Sequence, residues 1–182
     1  MAEKTEAHPR AEIGFERRRQ MQVRQSLIAV LDAAPPGDST HTALQEAAVD
    51  YMITSMTRLD VQDIAILVRL KIRIPKDHAD AHQGLVDLEA RQARARTETK
   101  TMADALQGYR ESGQDTFAAS ATALRHFHAE MQAMMTPRKN PYEPYTNTLF
   151  TDDDWTAIAG TTETSLATEQ EQYTAVKSAA PD

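Results

Sequence analysis

The chain has no cysteine among its 182 residues, and this absence excludes several chemistries. Without thiols there can be no disulfide, no thiolate-bound metal and no cysteine nucleophile. Glycine is scarce, with six residues, and the sequence holds neither a glycine-rich phosphate-binding loop nor a nucleophile elbow. No run approaches about 18 uninterrupted apolar residues, and the first residues lack the apolar segment of a signal peptide. We therefore predict a soluble, cytoplasmic protein.

What the sequence does contain favours a single helical domain. Hydrophobic residues make up 41% of the chain, which supplies a real core for one domain of this length. The formal net charge of −7 argues against nucleic-acid binding by the chain as a whole. We expect no nucleic-acid and no membrane partner. A protein partner is expected, although the sequence does not identify it, and the chain is predicted to be a monomer or a homodimer.

Four long segments carry apolar residues at helical spacing, separated by proline- and glycine-containing breaks. The pattern predicts helices over about residues 12–33, 42–74, 78–107 and 115–136. Short connections between long helices favour an all-α, up-down-up-down four-helix bundle. The predicted organisation is a flexible N-terminal arm over 1–11, the bundle over 12–160 and a mobile C-terminal tail, or a loosely attached helix, over 161–182.

The segment after the fourth helix has a different composition. Residues 137–148 contain three prolines, so we predict a proline-rich strap that is not a regular helix and that packs on the bundle through Tyr142 and Tyr145. Thr151 followed three residues later by Asp154 is typical of a capping box. It predicts a short extra helix that ends at Gly160.

The third helix carries a polar residue where a bundle should be apolar. Its inward-facing positions are Ala81, Leu85, Leu88, Gln92, Ala95, Thr99, Met102 and Leu106. Gln92 stands at the centre of this stripe, and the other long helices carry polar residues at comparable places. Because a buried polar group costs free energy unless it is satisfied, polar residues that converge inside a bundle indicate a site or the remnant of one.

One stretch carries a resemblance to a known family. Residues 149–160, LFTDDDWTAIAG, resemble the segment that follows the last helix in bacterial hemerythrin-like (HHE, cation-binding) domains, where a proline lies upstream of an Asp-Trp pattern. Pro144 stands at a suitable distance before Trp155. The likeness extends loosely over about residues 20–160. It implies a four-helix bundle whose interior holds two irons, bound by histidines and carboxylates.

Most of the ligand positions that this resemblance implies are substituted here. They fall at Arg24, Leu59, Asp63, Leu88, Gln92, His128 and Gln132. His128 keeps a ligand type, Asp63 could replace a glutamate, and a permanent cation at Arg24 repels a metal. We therefore expect no metal and a buried polar network in its place, with Arg24 against Asp63 and with Gln92, His128 and Gln132 around them. Alternatively, Arg24 extends to solvent and the glutamines lie at the rim.

Two functions follow as hypotheses. The first is a hemerythrin-like bundle that has lost its diiron site and acts, without cofactor or catalytic residues, as a binding, scaffold or regulatory protein. The alternative is a residual non-heme diiron protein that binds or senses oxygen or nitric oxide, or stores iron, with Asp63 and His128 as remaining ligands. Colour and iron content separate the two.

Two further patterns each have a functional and an ordinary interpretation. His78 and His82 are four residues apart and could hold zinc, or they simply begin a helix. The second pattern is a set of arginines, Arg17, Arg18, Arg19, Arg91, Arg94 and Arg96. These could form a basic patch for an acidic partner, or a solvated face.

Overall fold

A computed structural model describes residues 8–34, 40–113, 117–135 and 141–180. Its helices are α1 (Pro9–Ala33), α2 (Thr42–Arg73), α3 (Ala79–Ser112), α4 (Phe117–Met135), α5 (Glu143–Thr148), α6 (Asp152–Gly160) and α7 (Leu166–Ala179). A 3₁₀ turn over Glu163–Ser165 leads into α7. These residues contain no strand, so the all-α prediction is confirmed. None of the described helices is both long enough and apolar enough to cross a bilayer.

The four long helices contact one another in a closed ring. α1 and α3 each contact α2 and α4. The main core lies inside this ring and includes Leu27, Tyr51, Met52, Met102, Leu106, Leu124 and Phe127. α2 has the most neighbours, since it also contacts α6 and α7. It is therefore buried on more than one face, and the consecutive residues Tyr51 and Met52 are both inaccessible to solvent.

The ends of the long helices show where local signals hold and where they are overridden. α1 begins at Pro9, so residues 9–11 belong to the helix and not to the predicted arm; proline is tolerated there because its missing N–H would be unsatisfied anyway. α2 ends before Pro75, as predicted. Thr42 followed three residues later by Gln45 predicts a capping box with Thr42 as the N-cap of α2. The N-cap is instead His41, and Gln45 turns inward and donates to Ser120 Oγ at 2.7 Å.

Residues 143–148, predicted as part of a non-helical strap, form the short helix α5. Pro144 lies in its first turn, where the ring costs no helical hydrogen bond. The predicted packing of Tyr142 and Tyr145 is confirmed, since both rest on a cluster from α2 and α3 that includes Leu70 and Leu85. The beginning of the strap, residues 137–140, lies outside the described residues.

The segment predicted as a mobile tail forms a packed helix over residues 166–179. Glu169, Tyr173 and Val176 share one face of α7, and this face lies on α2. Val176 is buried in the main core, and the ring centroid of Tyr173 is 5.6 Å from that of Tyr51. The segment has few large apolar residues, but these three residues at helical spacing are enough to hold it on the protein. They can do so because α2 offers a second face on which they become buried.

The predicted capping box of α6 is confirmed and carries an additional charge contact. Thr151 Oγ1 accepts from the Asp154 amide, and the Asp154 carboxylate accepts from the Thr151 amide at 2.9 Å. Arg73 donates to the same carboxylate at 2.6 and 2.7 Å. The Arg73 hydrogen bonds, followed by the Thr151 backbone bond, hold the pKa of Asp154 well below its usual range.

This carboxylate should make the protein sensitive to acid. A group whose pKa is depressed by folding stabilises the native state fully above its unfolded pKa of about 3.9. That stabilisation is lost as the pH falls toward the lower folded pKa. We expect Asp154→Asn to lose less unfolding free energy than the wild type between about pH 7 and about pH 3, measured by urea unfolding. Asp153→Asn, at an exposed neighbouring position, should retain the wild-type dependence; identical acid dependence in all three proteins would contradict this.

Candidate functional site

A cavity of about 760 Å³ lies between α2 and α3 and reaches side chains of α1 and α4. Its apolar wall consists of Ile53, Met56, Leu59, Leu88, Ala95, Ala103, Met131 and Met134. Exposed residues such as Thr57, Arg96 and Lys100 also line it, so it opens to solvent. Its volume falls within the range of about 300–1,000 Å³ that is typical of small-molecule sites.

The cavity interrupts the packing stripe of α3. Ala81 and Leu85 at one end of the stripe, and Met102 and Leu106 at the other, are buried. The intervening residues Leu88, Ala95 and Thr99 are only partly buried and line the cavity. The stripe of α3 is therefore tightly packed at both ends and lines the cavity around Gln92. This is the position at which the sequence predicted a polar site.

Two glutamines in the cavity wall are buried but incompletely hydrogen-bonded. Gln20 on α1 is 2% exposed and Gln92 on α3 is 7% exposed. Neither Nε2 has a hydrogen-bond partner within the described part of the chain. A buried donor without an acceptor costs about 1–3 kcal/mol. Rotation of a glutamine amide can present its donor or its acceptor to a bound molecule.

One end of the cavity holds a cluster of charged and polar side chains. Arg17 donates to Asp63, which joins α1 to α2. Burial raises the pKa of Asp63, and the charge of Arg17 opposes this. Arg91 Nη2 donates to the Tyr142 hydroxyl oxygen at 3.1 Å. Burial raises the pKa of Tyr142, whose hydroxyl also lies in the electrostatic field of Arg91, Asp63 and Arg17.

The pairing predicted for Arg24 and Asp63 is corrected by the structure. Asp63 pairs with Arg17, which lies two turns before Arg24 on the same side of α1. Arg24 is 3% exposed, so it does not extend to solvent either, and burial lowers its pKa. Its charge acts on His128 of α4: burial, followed by the charge of Arg24, lowers the pKa of His128.

The five residues predicted as one network fall into two groups. Asp63 and Gln92 line the cavity. Arg24 and His128 interact between α1 and α4, and His128 hydrogen-bonds Gln132, which is exposed. The glutamine pair in the wall is thus Gln92 with Gln20, and the sequence interpretation had not selected Gln20. Its place four residues before Arg24, on the inward face of α1, was the available signal.

The donor set does not fit a diiron centre. Two irons need several anionic or imidazole ligands, whereas Asp63 is engaged by Arg17 and His128 faces the Arg24 cation. Within the described ranges, no group of three histidine, aspartate or glutamate side chains is placed to hold a metal ion. His78 and His82 are engaged separately, by the Tyr145 hydroxyl and the Pro75 carbonyl.

The arginines do not form a shared basic patch. Most of them face carboxylates, in the pairs Arg17–Asp63, Arg19–Glu169, Arg94–Glu130 and Arg96–Asp60. The Arg18 guanidinium lies over the Phe15 ring at 4.5 Å. Arg91 differs, because its partner among the described side chains is a neutral hydroxyl.

The most buried ionic contacts lie elsewhere and were missed by the sequence interpretation. On one side, Arg58 donates to Glu16, to the Thr162 carbonyl and to Ser165 Oγ. On the other, Arg19 contacts Glu169 and the Tyr51 hydroxyl. Both sets join the C-terminal segment to α1 and α2.

Comparisons of the chain with protein-family models, with curated proteins and with solved structures found no match. Its function is therefore inferred from the chemistry of the cavity.

Proposed function

We propose that this protein is a non-catalytic binding protein that holds a small amphipathic molecule in the cavity between α2 and α3. The observation that carries the proposal is the pair Gln20 and Gln92, two buried amides with unbonded donors in a wall that combines an apolar part with a charged end. The threonine hydroxyls of the wall, those of Thr57 and Thr99, donate to backbone carbonyls of their own helices, and Lys100 is paired with Asp104, so the described wall shows no nucleophile held by a base. Binding without chemistry is the function that such a wall supports.

The fold belongs to the same proposal: an up-down-up-down four-helix bundle of hemerythrin-like type whose interior holds no metal. The closed ring of contacts among α1 to α4, and the capped Asp-Trp helix that follows them, support it. The donor chemistry around Asp63 and His128 supports the metal-free interior. Two irons per chain in the native protein, with near-ultraviolet and visible absorption, would overturn it. A protein partner and a cytoplasmic location remain predictions of the sequence.

Filling the cavity tests the binding proposal. Ala95 lies in the wall at the middle of α3, so Ala95→Trp should occupy the space without burying a charge. We expect it to weaken binding of the amphipathic dye 1-anilinonaphthalene-8-sulfonate by about 10-fold or more, since about 1.4 kcal/mol corresponds to a factor of ten. The measurement is a fluorescence titration, with near-ultraviolet circular dichroism to show that each protein remains folded.

The matched control is Ala93→Trp, two residues away on the exposed face of α3. It adds the same ring without entering the cavity, so dye binding should stay at the wild-type level. If the two variants bind the dye alike, or the folded wild type does not bind it, the cavity is not the binding site.

A further inference from the structure

We infer that the molecule bound in this cavity is a monoanionic amphiphile, an alkyl or aryl carboxylate, and that Arg91 receives its carboxylate group. This inference rests on the proposed function, because it names the class of ligand for the same cavity. It is carried by the contrast between Arg91 and the other arginines of the wall.

Arg91 lines the cavity, is partly buried and has no carboxylate within ion-pair distance among the described residues. Arg17 and Arg96, which line the same wall, face Asp63 and Asp60. A guanidinium presents five N–H donors, and the hydrogen bond to Tyr142 occupies a donor on Nη2 alone. The fork that matches a carboxylate is therefore available at Arg91.

The neighbours of Arg91 favour the same group. The Tyr142 hydroxyl accepts from Arg91 and so holds the guanidinium without neutralising its charge. Gln92, the next residue of α3, lines the same wall and can turn its amide donor toward a carboxylate oxygen. An anion at this end would thus meet the charged fork of Arg91 and the neutral donor of Gln92.

The balance of charge in the wall limits the ligand to a single negative charge. Its basic residues are Arg17, Arg91, Arg96 and Lys100, and its acidic residues are Asp60, Asp63 and Glu143. Arg17 and Arg96 are paired with Asp63 and Asp60, and Lys100 is paired with Asp104 outside the wall. Among the described wall residues this leaves Arg91 as the basic side chain without a carboxylate partner, so it can match one negative charge. A phosphate dianion would bring a second negative charge toward Glu143, whereas a monoanion matches Arg91 alone.

The apolar part of the wall suits the remainder of such a molecule. Met56, Met131 and Met134 contribute flexible thioether side chains, together with Ile53 and Leu59. Methionine adapts to different apolar shapes. The wall therefore selects strongly for the head group and only weakly for the shape of the tail.

The test compares octanoate with 1-octanol, which share an alkyl chain and differ in charge, by isothermal titration calorimetry. A hydrogen bond to a charged group is stronger than one between neutral groups, so we expect the wild type to bind octanoate at least about 10-fold more tightly than octanol. Arg91→Gln should remove this preference, because it weakens octanoate binding more than octanol binding. Arg94→Gln, whose side chain is exposed and pairs with Glu130 outside the cavity, should retain the preference.

Glu143 supplies a second variant with an effect of opposite sign. It lines the cavity and has no ion-pair partner among the described residues. Its carboxylate should repel a bound anion, so Glu143→Gln is expected to tighten octanoate binding more than octanol binding.

The outcomes separate the two proposals. Equal wild-type affinity for octanoate and octanol, or a preference that survives Arg91→Gln, would overturn the carboxylate inference while the binding function stands. Absence of binding of octanoate, octanol and the dye by the folded wild type would overturn the proposed function itself.

Discussion

Replacing Glu169 with glutamine is expected to lower the free energy of unfolding by about 3 kcal/mol, because breaking a buried ion pair leaves its partner uncompensated. Glu169 is 1% exposed, and its carboxylate accepts from Nε and Nη2 of Arg19 at 3.0 and 2.6 Å. Glutamine preserves the size of the side chain and removes its charge. Arg19 is itself only a quarter exposed, so water replaces the lost counter-charge poorly.

The matched control for this change is Glu171→Gln on the same helix. Glu171 is exposed and forms no ion pair among the described residues, so its replacement should alter stability by less than about 0.5 kcal/mol. Both variants are compared with the wild type by urea unfolding followed by far-ultraviolet circular dichroism. Equal effects of the two substitutions would mean that the Arg19–Glu169 pair does not hold α7 in place.

Replacing Arg58 with methionine is expected to destabilise the protein by about 3–5 kcal/mol. Arg58 is 4% exposed and donates to Glu16 at 2.7 Å, to Ser165 Oγ at 2.8 Å and to the Thr162 carbonyl. Methionine fills much of the same space. It leaves the Glu16 carboxylate with Gln62 Nε2, at 3.1 Å, as its hydrogen-bond donor among the described residues.

A double-mutant cycle isolates the charge pair. If Arg58 and Glu16 stabilise each other, Glu16→Gln combined with Arg58→Met should cost at least about 1 kcal/mol less than the two single changes added together. Arg110→Met serves as the exposed comparison, since the Arg110–Asp50 pair is solvated on both sides and such pairs contribute about 0–1 kcal/mol. Simple additivity of the Arg58 and Glu16 effects would show that the two charges act independently.

The four long helices and α6 follow from local rules that the sequence displays. Apolar spacing places α1 to α4, and Thr151 with Asp154 places the start of α6. The same local rule fails at Thr42, where the structure uses Gln45 in a bond to Ser120, 75 residues away. A capping signal predicts the start of a helix only when no distant partner competes for the same side chain.

The centre of the candidate site was predictable, but its pairings were not. Gln92 and Asp63 lie at inward positions of their helices, and both line the cavity. Two arginines on one side of α1, Arg17 and Arg24, are equally plausible partners for Asp63 by spacing. The choice between them depends on the axial offset between α1 and α2, which helical periodicity does not determine.

The close packing of the C-terminal helix was not predicted, because its contribution to the core is partly ionic. Composition treats Glu169 as a solvent-exposed residue, whereas in the structure it is among the least exposed side chains. A charged residue at core spacing with Tyr173 and Val176 indicates a buried face only when a partner is known. That partner, Arg19, lies at the other end of the sequence.

The attachment of α7 also determines when the fold can be completed during synthesis, because this helix is made last. Arg19 and Glu169 are separated by 150 residues, and ribosomes add about 5–20 residues per second. The arginine is therefore made about 8–30 s before its carboxylate partner. Tyr51 and Arg58 are made early in that interval, and for the rest of it they face the place that the C-terminal segment will later fill. The nascent protein exposes this side of α2 until synthesis has passed residue 169, which makes it the surface where a chaperone or an early misfolding event would act.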